Sequence, residues 1–160
     1  LEILEDLPDV DAVVASIGGG GLIAGIGSAL RALKPDTKIL AAEPETASPL
    51  ATSFQAGAAS RFPNWEASFV DGAGGKTVLP SMWPLLSSLV DDSIVVSLKE
   101  VAYAMRLIAE RTRVIAEGAA ACAVAAALTG RAGSGKIVAI ISGGNIDLPK
   151  FAALTADSTD

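Results

Sequence analysis

The run Ala12-Val13-Val14-Ala15-Ser16-Ile17 leads straight into four consecutive glycines, Gly18 to Gly21, and these lead into the helix-patterned stretch Leu22 to Leu33. A β-rich apolar run of this length reads as a buried strand. Leu22, Ile26, Ala29, Leu30 and Leu33 give the following segment one apolar face, as a helix at a sheet surface requires. A strand that ends in glycines and feeds a helix is an anion site in the making. Without side chains, backbone N–H groups come close to a phosphate, and the positive end of the helix dipole favours its charge.

The rest of the chain repeats the theme. Residues 1 to 7 read as the end of a helix, closed by Pro8. Lys38 to Glu43 reads as a second strand stopped by Pro44, so that strand, helix and strand make a βαβ unit with a parallel pair. Residues 48 to 57 and 81 to 90 read as helices, with an irregular, glycine-containing stretch over 58 to 80. A stretch that long inside a compact domain is usually functional. Ser93 to Val96 reads as a strand. Ser97, with Glu100 three residues on, is a capping box opening a helix to about Arg113. Glu117 opens an alanine-rich helix, Ala119 to Leu128, able to pack close to a neighbour. Lys136 to Ile141 reads as a last buried strand, followed by a second glycine turn, Ser142-Gly143-Gly144-Asn145. The order predicts one α/β domain over residues 1–160: three layers, a mostly parallel sheet with helices on both faces. Ligands of such sheets lie at strand carboxyl ends, and both glycine turns are there.

Composition narrows the chemistry. The chain has 160 residues, a net charge of −6 and no histidine. The missing histidine removes a Ser-His-Asp triad, a Cys-His pair and most zinc sites. The acidic balance argues against nucleic acid as a partner. No apolar run reaches the roughly 18 residues of a membrane span. The single cysteine, Cys122, reads as a small core residue and fits a reducing, cytoplasmic setting.

Two readings of the first turn stand side by side. Gly19-Gly20-Gly21-Leu22-Ile23-Ala24 satisfies the looser dinucleotide fingerprint, with Glu43 placed as a ribose-binding acid would be, which suits a nicotinamide oxidoreductase. Four adjacent glycines equally suit a loop wrapped around a single phosphate. A module that keeps the phosphate pocket without catalysis is a third reading. Lys76 in Gly74-Gly75-Lys76-Thr77 looks like the end of a Walker loop, but the earlier glycine is misplaced and no strand leads in.

Taken together, Ser16-Ile17-Gly18-Gly19-Gly20-Gly21-Leu22, Ala41-Ala42-Glu43-Pro44, Asp71-Gly72, Glu117-Gly118-Ala119 and Ser142-Gly143-Gly144-Asn145 resemble the second half of a fold-type II pyridoxal-phosphate enzyme of the threonine/serine dehydratase and serine racemase group. The resemblance implies that Gly18, Gly19, Gly20 and Gly21, with the backbone of Leu22, hold the cofactor phosphate. It implies that Ser142 meets the pyridine nitrogen, that Gly72 lies near the ring and that Glu117 stands close by. It also implies a cation, magnesium or monovalent, held by Glu43, the carbonyl of Ala47 and a further acid, whose position is taken here by Pro49. The implied activity is β-elimination of serine or threonine to a 2-oxo acid and ammonia, or racemisation of an amino acid. The family's Schiff-base lysine belongs to an earlier segment, expected before Leu1, so the chain alone is expected to be inactive. A homodimer is implied as well.

Overall fold

The computed structural model describes residues 1–156. In chain order the elements are α1 (Glu2–Asp6), β1 (Ala12–Ser16), α2 (Gly21–Leu33), β2 (Lys38–Pro44), α3 (Pro49–Ala56), α4 (Trp83–Leu89), β3 (Asp92–Val96), α5 (Leu98–Thr112), α6 (Gly118–Leu128), β4 (Ile137–Ala139) and α7 (Leu148–Thr155). The strands form one sheet in the order β3-β2-β1-β4, and every pair is parallel. Val14 of β1 stands opposite Leu40 on one side and Ala139 on the other.

Strand periodicity divides the core between the two sheet faces. Val13, Ala15, Ile39 and Ala41 pack with Ile23 and Leu30 of α2 and Leu86 and Leu89 of α4. Ala12, Val14, Leu40 and Ala42 pack with Val101, Ala104 and Met105 of α5 and the alanines of α6. The three-layer α/β arrangement expected from the sequence is therefore the observed one. In α6 the run Gly118–Ala123 is buried throughout, since small side chains let the helix lie close against β1 and α5.

The strand order carries a functional consequence. From β1 the chain steps outward through β2 to β3, and α5 and α6 then return it to β4 on the other flank of β1. The crossovers thus leave β1 in opposite directions, which opens a crevice at the carboxyl ends of β1 and β4.

Local signals hold in detail. The Ser97–Glu100 capping box is present in both directions, Glu100 N–H to Ser97 Oγ and Ser97 N–H to the Glu100 carboxylate, and α5 ends on Arg113 in the left-handed region at φ 64°. Two expectations need correction. The last strand is shorter than Lys136–Ile141 and is half-buried, because β4 is an edge strand paired only with β1. A further helix, α7, which the sequence reading does not include, follows the second glycine turn; Asp147 stands at its N-cap position without a side-chain capping bond, and a proline lies in its first turn. The irregular stretch 58–80 is held by its own bonds. Arg61 and Thr77 form an antiparallel bridge, Phe62 N–H donates to the Lys76 carbonyl at 2.9 Å, and Glu66 N–H donates to the Thr46 carbonyl at 3.0 Å.

Candidate functional site

The two glycine turns meet. A cavity of about 220 Å³ is lined by Gly18, Gly19, Gly20, Gly21 and Leu22 from the first turn, Ser142 from the second, Gly72 from the irregular stretch, and Ser16, Glu117 and Ala119. It sits at the carboxyl ends of β1 and β4, in the crevice the strand order creates.

Its floor is a bare helix end. Gly20 is the N-cap of α2, at φ 91°, with no side chain to satisfy the helix's first N–H groups. Every helix leaves such groups without an internal partner. Here they border the cavity, and α2 contributes its positive dipole end to them. A left-handed N-cap requires glycine at position 20. Position 18 requires it for a different reason: a Cβ there would stand 2.5 Å from the carbonyl oxygen of Gly72. A Cβ on Gly72 would in turn stand 2.9 Å from that of Ala119. The backbones of three distant segments thus close in on one another, and Ser16 ties the same corner by donating its hydroxyl to the Ala119 carbonyl at 2.5 Å. A phosphate fits this cradle: the donors are backbone N–H groups, and no Lys or Arg lines it.

The second wall is polar. Ser142 is exposed to the cavity, and Glu117 N–H donates to the Gly143 carbonyl at 3.2 Å, which fixes the turn to the start of α6. Glu117 is the N-cap residue of α6, yet its carboxylate makes no capping bond and lines the cavity instead. An adjoining hollow of about 220 Å³ shares Glu117 and also touches Asp71, Asn145, Asp147 and Lys150.

Other sequence candidates fall elsewhere. The Lys76 ammonium lies 4.1 Å from the centroid of the Trp65 ring. Cys122 is fully buried, and burial first, then the charge of Glu43, pushes its thiol up to about 12. Glu43 and Ala47 are buried outside the cavity. Oε1 of Glu43 accepts the N–H of Leu50 (2.8 Å), and Oε2 accepts the N–H of Ala51 (2.8 Å) and the hydroxyl of Ser93 (2.6 Å). Among the described residues no group of three His, Cys, Asp or Glu side chains is placed to hold a metal ion. Of the set that the resemblance implies, Glu43 brings a carboxylate and Ala47 a carbonyl, while Pro49 brings no carboxylate. Ser16 and Ala119 were not singled out as lining residues, because what places them at the cavity is a bond between β1 and α6.

The family model described as pyridoxal-phosphate dependent enzyme matches residues 1–143. The chain belongs to that family. The chain is 40% identical over 149 residues to an L-threonine ammonia-lyase of Thermotoga maritima, covering 92% of the chain and 37% of that protein. It is 38% identical over 159 residues to the catabolic L-threonine dehydratase of Escherichia coli, covering 97% and 48%. Among solved structures, maize serine racemase matches with a TM-score of 0.85 at 36% identity, covering 95% of the chain and 48% of the racemase. The processed form of threonine deaminase isoform 2 from Solanum lycopersicum matches with a TM-score of 0.88 at 31% identity, covering 96% and 46%. The chain thus spans about half the length of the relatives it matches. Family membership sets aside the dinucleotide reading of Gly19–Ala24. Among the described residues, no helix of this pyridoxal-phosphate family member is long and apolar enough to cross a membrane.

Proposed function

We propose that the chain is the cofactor-phosphate half of a pyridoxal-phosphate lyase that eliminates the β-hydroxyl of serine or threonine, giving a 2-oxo acid and ammonia. One observation carries the reading: the uncapped N-terminus of α2 and the Ser142 hydroxyl face a single cavity at the switch point of the sheet. The names of the relatives, threonine ammonia-lyase and threonine dehydratase, support the reaction.

In this proposal Gly18 to Gly21 and Leu22 hold the cofactor phosphate through N–H groups. Gly72 forms the wall beside the ring. Ser142 offers its hydroxyl to the ring nitrogen. Pyridoxal phosphate, when bound, supplies the electron sink for the carbanion left by α-proton removal. A neutral hydroxyl at Ser142 does not enforce protonation of the ring, which suits elimination, where the leaving group takes up the electrons. No lysine lines the cavity, so the covalent attachment of the cofactor is assigned to a segment outside this chain. The small amino-acid substrate, the homodimer and the cytoplasmic location rest on the family resemblance and on Cys122 being a free, buried thiol.

The test is turnover by the full-length protein loaded with pyridoxal phosphate. Release of 2-oxo acid and ammonia from L-serine or L-threonine is expected, and none from the 160-residue chain alone. The likeness to maize serine racemase supports the alternative, an amino-acid racemase. Formation of the D-enantiomer without 2-oxo acid would replace the lyase reading by that one.

A further inference from the structure

We infer that in this chain the N-terminus of α3 stands where the resemblance places a cation, so that the Glu43 corner is held without a metal ion. This goes beyond the proposed reaction and does not depend on it.

Glu43 is fully buried on β2, one residue before the strand ends. A carboxylate in that position needs a counterpart. It finds one in the protein itself. Oε1 accepts the N–H of Leu50 at 2.8 Å, and Oε2 accepts the N–H of Ala51 at 2.8 Å and the hydroxyl of Ser93 at 2.6 Å. Leu50 and Ala51 are the second and third residues of α3, whose N–H groups have no partner inside the helix. Ser48, the N-cap residue, makes no side-chain capping bond. Glu43 caps the helix from a neighbouring strand instead.

The same arrangement leaves a cation poorly supplied. Magnesium and calcium take six or more oxygen ligands, of which magnesium leaves several to water and draws the rest chiefly from carboxylates. The position of the third protein ligand is Pro49, which brings neither a carboxylate nor an N–H, and which serves as the first residue of α3. That leaves the Ala47 carbonyl and a carboxylate whose two oxygens already accept three hydrogen bonds. The helix terminus, about half a positive charge at its N–H groups, takes over the electrostatic role. Pro49 thus brings no ligand oxygen from a side chain and stands in the first turn of the helix whose N–H groups bind Glu43.

The experiment is a titration of the protein, with pyridoxal phosphate bound, by magnesium, calcium, manganese and potassium chlorides at millimolar concentration. Calorimetric heat, melting midpoint and cofactor affinity are read, together with the amide resonances of Leu50 and Ala51. The expected result is no saturable heat, an unmoved midpoint and amides that neither shift with magnesium nor broaden with manganese. Saturable binding that leaves those two amides sharp places the ion elsewhere and also supports the inference. Saturable binding that raises the midpoint by several degrees and broadens the Leu50 and Ala51 amides overturns it. So does binding that is abolished in Glu43→Gln. The resonance measurement on the unaltered protein decides the matter if that variant does not fold.

Discussion

The carbonyl of Gly72 lies so close to Gly18 that a methyl group on Gly18 would stand 2.5 Å from its oxygen. Two loops far apart in the chain therefore share one wall of the cavity, at a separation with no room for a side chain between them. A Gly18→Ala substitution forces them apart. Overpacking of this kind costs about 1–3 kcal/mol, so the melting midpoint drops and pyridoxal phosphate binds more weakly. Gly19 gives the contrast, since a Cβ there meets nothing within 4 Å. Gly19→Ala should keep the melting midpoint and lose cofactor affinity alone, because its methyl group occupies a residue that lines the cavity. Thermal unfolding without cofactor, paired with an absorbance titration by pyridoxal phosphate, separates the two variants.

Ser142 is exposed, and the second turn is held by the Glu117 N–H rather than by the serine side chain. Ser142→Ala is therefore expected to change folding stability by no more than about 0.5 kcal/mol. Its effect belongs to the cofactor. Loss of one hydrogen bond weakens binding by about 0.5–1.5 kcal/mol, and turnover of serine or threonine falls with it. Chemical denaturation and the same absorbance titration check both halves. Equal cofactor affinity in the two proteins would remove Ser142 from the ring.

What the sequence discloses here follows the range of the forces involved. The bounds of α2, the Ser97 capping box and the strand character of β1 rest on neighbours within one or two turns of chain, and each is readable from local pattern. The meeting of Gly18, Gly72 and Ser142 was accessible only through the family resemblance, since periodicity says nothing about which strand ends adjoin. The Ser16–Ala119 bond spans 103 positions and the Ser93–Glu43 bond 50, and neither has a local signature. The true extent of β4 depends on its having one neighbour instead of two. Helix α7 did have a signal, Asp147 followed by Pro149, but it is only eight residues long, and none of them is buried. The bonds of Glu43 to Leu50, Ala51 and Ser93 have no local signature either, because an acid at a strand end looks the same in sequence whatever it faces.

The burial of Glu43 gives stability a pH dependence of definite sign. Desolvation raises its carboxyl above the ordinary 4.5, against the opposing hydrogen bonds from Ser93, Leu50 and Ala51. The folded protein then holds this proton more tightly than the unfolded chain does. Its contribution is largest below the unfolded value and declines as pH rises from about 4.5 through the raised folded value. Glu43→Gln removes the titration while keeping the size of the side chain. The stability of the parent protein relative to that variant should therefore fall as pH increases across this window. Denaturant unfolding of both proteins at a series of pH values checks the direction, and a difference that grows with pH would contradict it.

Trp65 fixes the outer end of the loop whose inner end is Gly72. Its indole N–H donates to the Gly74 carbonyl at 2.8 Å, and the Lys76 ammonium lies 4.1 Å from the ring centroid. Both contacts hold the segment 71–76, one by direction and one by charge. Trp65→Phe keeps a ring for the ammonium and removes the N–H, so it should cost about 1 kcal/mol, the net value of one hydrogen bond. Lys76→Met removes only the charge, and a solvent-accessible cation–π contact is worth about 0.5–1 kcal/mol. Urea unfolding should rank the two in that order. Because the Trp65 bond to Gly74 lies two residues from Gly72, loosening the loop at Trp65 should also lower pyridoxal phosphate affinity. If Trp65→Phe loses stability and retains full affinity, Gly72 is held by its two neighbours alone and Trp65 serves only the fold.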